Sequence, residues 1–163
     1  MKRLILCALA IVAADLLGWL PATQKDVGEL LPVQTLVASR EGETLVLNGG
    51  EDLEGRGATW AEAMEDLRAT APGEAFFGAT GEIVLMDEAL NFLPAVLEDR
   101  SLRPAARVYT GSGGIEPESA VKFLAAHEGG VTVQQLQAAS LAGREIVLPA
   151  LRAENGRYRI DEG

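Results

Sequence analysis

Hydrophobic and polar positions divide the chain into an apolar leader and a run of alternating strand-like and helix-like segments. The leader begins Met1-Lys2-Arg3 and continues through eleven apolar residues, Leu4 to Ala14, before the first acid, Asp15. A basic start, an apolar run and small residues at its end form the pattern of an export signal. Val12-Ala13-Ala14 supplies small residues where a signal peptidase reads, and cleavage there would release a chain starting at Asp15, with an uncleaved anchor as the other outcome. An uncleaved anchor needs about 20 apolar residues, and Leu4 to Leu20 reaches that neighbourhood only by including Asp15.

Beyond the leader, Leu31 to Ala38 is rich in β-formers and predicts a strand. Glu41-Gly42-Glu43 is a turn, Thr44 to Leu47 a second strand, and Asn48 to Gly57 a polar, glycine-rich loop. Thr59 and Glu62 have capping-box spacing, with Trp60, Ala63, Met64, Leu67 and Ala71 following at helical intervals until Pro72-Gly73. Ile83 to Met86 is a short continuous apolar run, expected of a strand covered on both faces. Asp87 is placed to cap a helix from Glu88 to Asp99, which Pro94 should kink or split. Ala105 to Thr110 predicts a further strand, followed by a Gly111 to Gly114 loop.

Pro117 opens a helix whose buried face is Ala120, Val121, Phe123 and Leu124, ending before Gly129-Gly130. Thr132 and Gln135 form a second capping box, for a helix to about Ala142. Glu145 to Leu151 and Arg157 to Ile160 predict a closing hairpin around Glu154-Asn155-Gly156. The order ββ-α-β-α-β-α-α-ββ implies an α/β (α+β) single domain with a mixed β-sheet and flanking helices. Domain organisation follows: a signal peptide or membrane anchor over residues 1–22, then one domain over residues 23–163.

Charge narrows the partners. The chain has 14 Lys+Arg against 24 Asp+Glu, a net charge of −10, and loss of Lys2 and Arg3 with the leader takes it to −12. Such a surface repels phosphate backbones, so nucleic acid is not an expected partner. Membrane association is left to the N-terminal segment. The single cysteine, Cys7, lies within the leader, so the domain itself offers neither disulfide nor thiol chemistry.

Candidate chemistry is sparse. Gly111-Ser112-Gly113-Gly114 approaches a nucleophile elbow, but Thr110 occupies the place of the first glycine. No Lys follows for a phosphate loop. His127 is the only histidine and falls in the last turn of its helix, which suits the helix dipole. Glu51-Asp52-Leu53-Glu54 reads as a solvated acid cluster. Asp87-Glu88 and Glu98-Asp99 read as helix-end acids. No catalytic, cofactor-binding or metal-binding residue is assigned, and a non-enzymatic protein is expected.

Several strings, in order, resemble the N-terminal domain of the Ger(x)C-type spore germination proteins. They are Asp26 to Val33, Gly55 to Leu67, Phe76-Phe77-Gly78 with Glu82 to Leu90, Leu93 to Arg107, and Val147 to Leu151 with Asn155 to Gly163. The resemblance spans residues 26–163. It implies an extracytoplasmic subunit or accessory of a germinant receptor complex, at the outer face of the spore inner membrane or secreted, with membrane receptor subunits as partners. The sheet edge and the Asn48 to Gly57 and Gly111 to Gly114 loops are the expected contact surfaces.

Departures are specific. The family's anchoring cysteine is missing between Gly18 and Trp19, Ala79 replaces its usual histidine, and the family continues into further domains where this sequence ends. The alternative reading is a secreted or envelope-anchored ligand-binding module unrelated to spores. N-terminal sequencing of the exported protein chooses between a cleaved signal, with Asp15 as the first residue, and an uncleaved anchor; an intact Met1 on a soluble cytoplasmic product contradicts both.

Overall fold

The computed structural model describes residues 30–50, 53–127 and 129–161. The leader and the expected boundary at residue 22 therefore lie outside the described residues. Among these, no helix is long and apolar enough to cross a membrane.

Among the described residues, ten strands and four α-helices alternate along the chain. They are β1 (Leu30–Pro32), β2 (Thr35–Glu41), β3 (Thr44–Gly50), β4 (Leu53–Gly57), α1 (Trp60–Thr70), β5 (Glu74–Phe76) and β6 (Glu82–Met86). Then come α2 (Leu93–Glu98), β7 (Arg107–Ser112), α3 (Pro117–Ala125), β8 (Val131–Thr132), α4 (Val133–Leu141), β9 (Ala150–Glu154) and β10 (Arg157–Asp161). The main sheet runs β10-β9-β7-β6-β2-β3-β4, with β8 paired to β7 beside this path. Strands β2, β6, β7 and β9 are mutually parallel, whereas β3, β4, β8 and β10 pair antiparallel with their neighbours. Strands β1 and β5 form a separate parallel pair. The expected mixed-sheet α/β single domain is thus what the chain forms.

Alternation along the central strands fills both faces. Leu36, Ala38, Leu45, Leu47, Ile83, Leu85 and Val108 point to one side, against Trp60, Met64 and Leu67 of α1, Val96 of α2, and Val133 and Leu136 of α4. Val37, Val84, Tyr109 and Leu151 point to the other, where Ala120 and Leu124 of α3 cover them. Burying each large side chain contributes roughly 1.5–3 kcal/mol, so the three-helix side supplies most of the hydrophobic stabilisation. Among the described residues, one helix closes the second face.

Capping chemistry appears where the spacing predicts it. Thr59 Oγ1 accepts from the Glu62 amide at 3.2 Å, and Glu62 Oε2 accepts from the Ala58 amide at 2.9 Å. At α4 the Thr132–Gln135 box is complete in both directions. Pro94 sits in the first turn of α2, so the expected helix over Glu88 to Asp99 divides into a 3-10 segment, Asp87–Phe92, and a short α-helix.

Four expectations are corrected. Asn48 to Gly57 is not a loop: β3 runs to Gly50 and β4 occupies Leu53–Gly57. The glycines there serve close packing, because a Cβ on Gly55 would stand 2.3 Å from the Ala63 carbonyl and 2.4 Å from Leu67 Cβ. Asp87 does not cap; Met86 holds that position without a side-chain bond. The closing hairpin starts at Ala150 rather than Glu145, while Gly111 and Ser112 extend β7 instead of looping. Asn155 (φ +51) and Gly156 (φ +73) make its two-residue turn, the left-handed pair that matches strand twist.

Gly55→Ala tests the glycine account. A methyl forced against the α1 backbone should lower unfolding stability by about 1–3 kcal/mol, read by urea denaturation. A loss near zero contradicts the close packing of α1 on β4.

Candidate functional site

The most concentrated polar chemistry lies at the amino ends of the central parallel strands. Glu82 opens β6 and Arg107 opens β7, and the sheet register sets the two residues side by side. The Arg107 Nε donates to Glu82 Oε1 at 3.1 Å, and its Nη2 makes a second, closer bond to the same oxygen. The guanidinium also donates to main-chain carbonyls at and beyond the end of α3: Nη2 to Leu124 at 3.1 Å, and Nη1 to His127 at 3.2 Å and Gly129 at 3.2 Å. Tyr109, two residues on along the same face of β7, donates its hydroxyl to the Gly129 carbonyl at 2.9 Å.

Burial decides the electrostatics here. Glu82 is a buried carboxylate, and desolvation raises its pKa above the ordinary 4.5, with the Arg107 charge and hydrogen bonds pulling back. Burial, then the Glu82 charge, pushes the Tyr109 hydroxyl up to about 12. A planar five-donor group bonded to one carboxylate oxygen and three carbonyls is a fastening device, while the buried Glu82 Oε2 has no hydrogen-bond partner among the described residues. Ligands of open α/β sheets ordinarily bind at the opposite, carboxyl ends of the strands.

Between β6 and β7 that end is filled at Gly111. A Cβ on Gly111 would fall 2.6 Å from Val84 Cγ1, 2.8 Å from Met86 Sδ and 2.9 Å from Ile115 Cδ1. Side chains of this protein thus occupy the crevice between β6 and β7. Gly113, at φ +86, brings the following turn down onto β9, where a Cβ would lie 2.3 Å from the Ala153 carbonyl.

The residues singled out from sequence do not converge. Ser112 ends β7, whereas the His127 carbonyl is bonded to Arg107 at that strand's start. Five residues of strand separate these ends by about 16 Å. His127 Nδ1 lies 2.7 Å from the Phe123 carbonyl, and its ring stacks on Phe123 at 4.0 Å. Glu51 and Asp52 fall outside the described residues, and Glu54 is paired with Arg56 at 2.7 Å. Asp99 proves to be an internal anchor, accepting from Trp60 Nε1 at 2.8 Å and from the Ser101 hydroxyl at 2.7 Å.

Sequence reading missed two surfaces. The hairpin β9–β10 presents Arg152, Glu154, Arg157, Arg159 and Asp161 along an open groove of about 690 Å³. Its strict alternation of charged and apolar residues was the available signal. The other surface is the exposed connection after α4, where Leu141 is 91% and Val147 71% accessible. No protein-family model, curated protein or solved structure matches this chain.

The raised Glu82 pKa sets a pH dependence. A carboxyl bound more tightly to its proton when folded favours the folded state below the unfolded pKa. That contribution is lost as pH rises from the ordinary carboxylate value of 4.5 through the folded one. Glu82→Gln should therefore remove this downward component from the stability-against-pH curve, read by urea titrations at several pH values. Identical slopes in the two proteins contradict the assignment.

Proposed function

We propose that this chain is a non-enzymatic extracytoplasmic protein that works by contact with other proteins, as a subunit or accessory of a spore germinant receptor complex. The export-type leader and the ordered strings similar to the Ger(x)C-type N-terminal domain support the location and the assembly. The observation that carries the contact role is the exposed segment Leu141 to Val147. It places three large apolar side chains, Leu141, Ile146 and Val147, in solvent. Within it, Glu145-Ile146-Val147-Leu148 has strand composition but no strand partner among the described residues. An exposed apolar group of this kind marks an interaction surface.

A second reading, a ligand-binding module, draws on one cavity. Leu31, Pro32, Leu53, Pro117 and Val121 enclose about 390 Å³ beside Thr35, whose buried hydroxyl has no hydrogen-bond partner. Thermal-shift screening against small polar molecules separates this reading from the first.

Affinity capture of the tagged protein from developing spores tests the leading proposal. Membrane receptor subunits should be recovered with the native sequence and lost with Leu141→Asp/Val147→Asp. These changes at exposed positions should move stability by no more than about 0.5 kcal/mol. Recovery of no receptor component, or equal recovery by both forms, contradicts it.

A further inference from the structure

The two edges of the main sheet are treated differently. At β4 the outward main-chain groups are already used by α1. The Arg56 amide donates to Asp66 Oδ2 at 2.8 Å, and the Glu54 carbonyl accepts from Thr70 Oγ1 at 2.9 Å. At the opposite end of the strand order, β10 has β9 on one side and no described element on the other.

Register identifies which groups on β10 are open. Glu154 pairs with Arg157, Arg152 with Arg159 and Ala150 with Asp161. In a hairpin with a two-residue turn, the residues flanking the turn exchange both main-chain bonds, and every second pair does likewise. The amides and carbonyls of Tyr158 and Ile160 consequently point away from β9. Their side chains pack with the α3-side cluster, while Arg157, Arg159 and Asp161 stand on the other face. The open edge is short, and its polar and apolar positions alternate.

The sequence Arg157-Tyr158-Arg159-Ile160-Asp161 is complementary to itself when reversed. Two copies set antiparallel about Arg159 bring Tyr158 opposite Ile160 of the second copy, in both directions. Each such pair exchanges two main-chain bonds, and an aromatic residue facing a β-branched one is a favourable cross-strand combination. On the other face Arg157 meets Asp161 of the second copy, twice. Arg157 makes no ion pair among the described residues, whereas Asp161 already holds Arg159 at 2.7 Å and Arg152 at 3.0 Å. That intrachain pairing offsets the meeting of the two Arg159 side chains at the centre.

Charge makes this edge the suitable place for a second copy. The protein is strongly acidic at −10, so most surfaces of two copies repel. The stretch 150–161 instead carries three arginines against Glu154 and Asp161. We propose that β10 is a self-association edge, through which two copies of this chain join their sheets in an antiparallel, two-fold arrangement centred on Arg159. This inference is independent of the germination reading, which uses the surface after α4.

Sedimentation of the full chain, in one buffer and detergent for all variants, tests the proposal over a concentration series. The native chain should pass from monomer to dimer mass as concentration rises. Arg157→Glu alone sets Glu against Asp161 at both contacts, and Asp161→Arg alone sets Arg against Arg157. Each should weaken association at least about 10-fold. Mixing the two variants restores both Arg–acid contacts, so a heterodimer should form where neither associates by itself. Far-ultraviolet circular dichroism checks that both variants remain folded. Slowed hydrogen exchange at the Tyr158 and Ile160 amides should accompany dimer formation. A monomer at every concentration, with those amides unprotected, overturns the proposal and leaves the edge to a different protein. Association that survives in both single variants belongs to another surface, the N-terminal segment included, and overturns it equally.

Discussion

Arg107 is where the sheet meets the helix that covers its second face. Its guanidinium ties the start of β7 to Glu82 on β6 and to three carbonyls at and beyond the end of α3. The second face of the sheet is covered by α3 over a small cluster of six buried residues. Hydrophobic burial of that size holds a nine-residue helix weakly. The charge-assisted bonds fix its position, and Tyr109 adds one more from the same strand. Removing one member of such a buried set leaves the others uncompensated, which is costlier than the set is stabilising.

The other organising feature is the contrast between edges. Strand β4 tolerates glycine at positions 55 and 57 because α1 lies on its backbone, and α1 then supplies Asp66 and Thr70 to occupy the outward main-chain groups. Unsatisfied edges invite pairing with other chains, and this end is sealed from within. Among the described residues, strand β10 has only alternating charges to protect it. Together with the apolar group at Leu141, Ile146 and Val147, it places the interaction capacity of the described residues around the C-terminal third.

Local signals in the sequence were reliable where one short segment decides the structure. Thr59–Glu62 and Thr132–Gln135 each act within a single helical turn, and Asn155-Gly156 needs only its own backbone preference. Strand β4 was hidden because Gly55 and Gly57 resemble loop residues until the helix packed on them is known. The short β1–β5 pair was missed for a similar reason, since its three-residue strands are defined only by each other. The Glu82–Arg107 fastening joins positions far apart in the chain and main-chain carbonyls that carry no side-chain signature. No spacing rule could reveal it. Ser112 and His127 show the converse: suggestive residue types of which one ends β7 and the other follows α3, bonded through its carbonyl to the start of that strand.

Hydrogen exchange on Arg107→Met addresses the central claim most directly. If the guanidinium positions α3, amides of Ala120 to Ala125 should lose at least about 10-fold in protection, while Ala63 to Leu67 of α1 keep theirs. Unchanged protection across α3 contradicts the claim, and so does an equal loss in both helices.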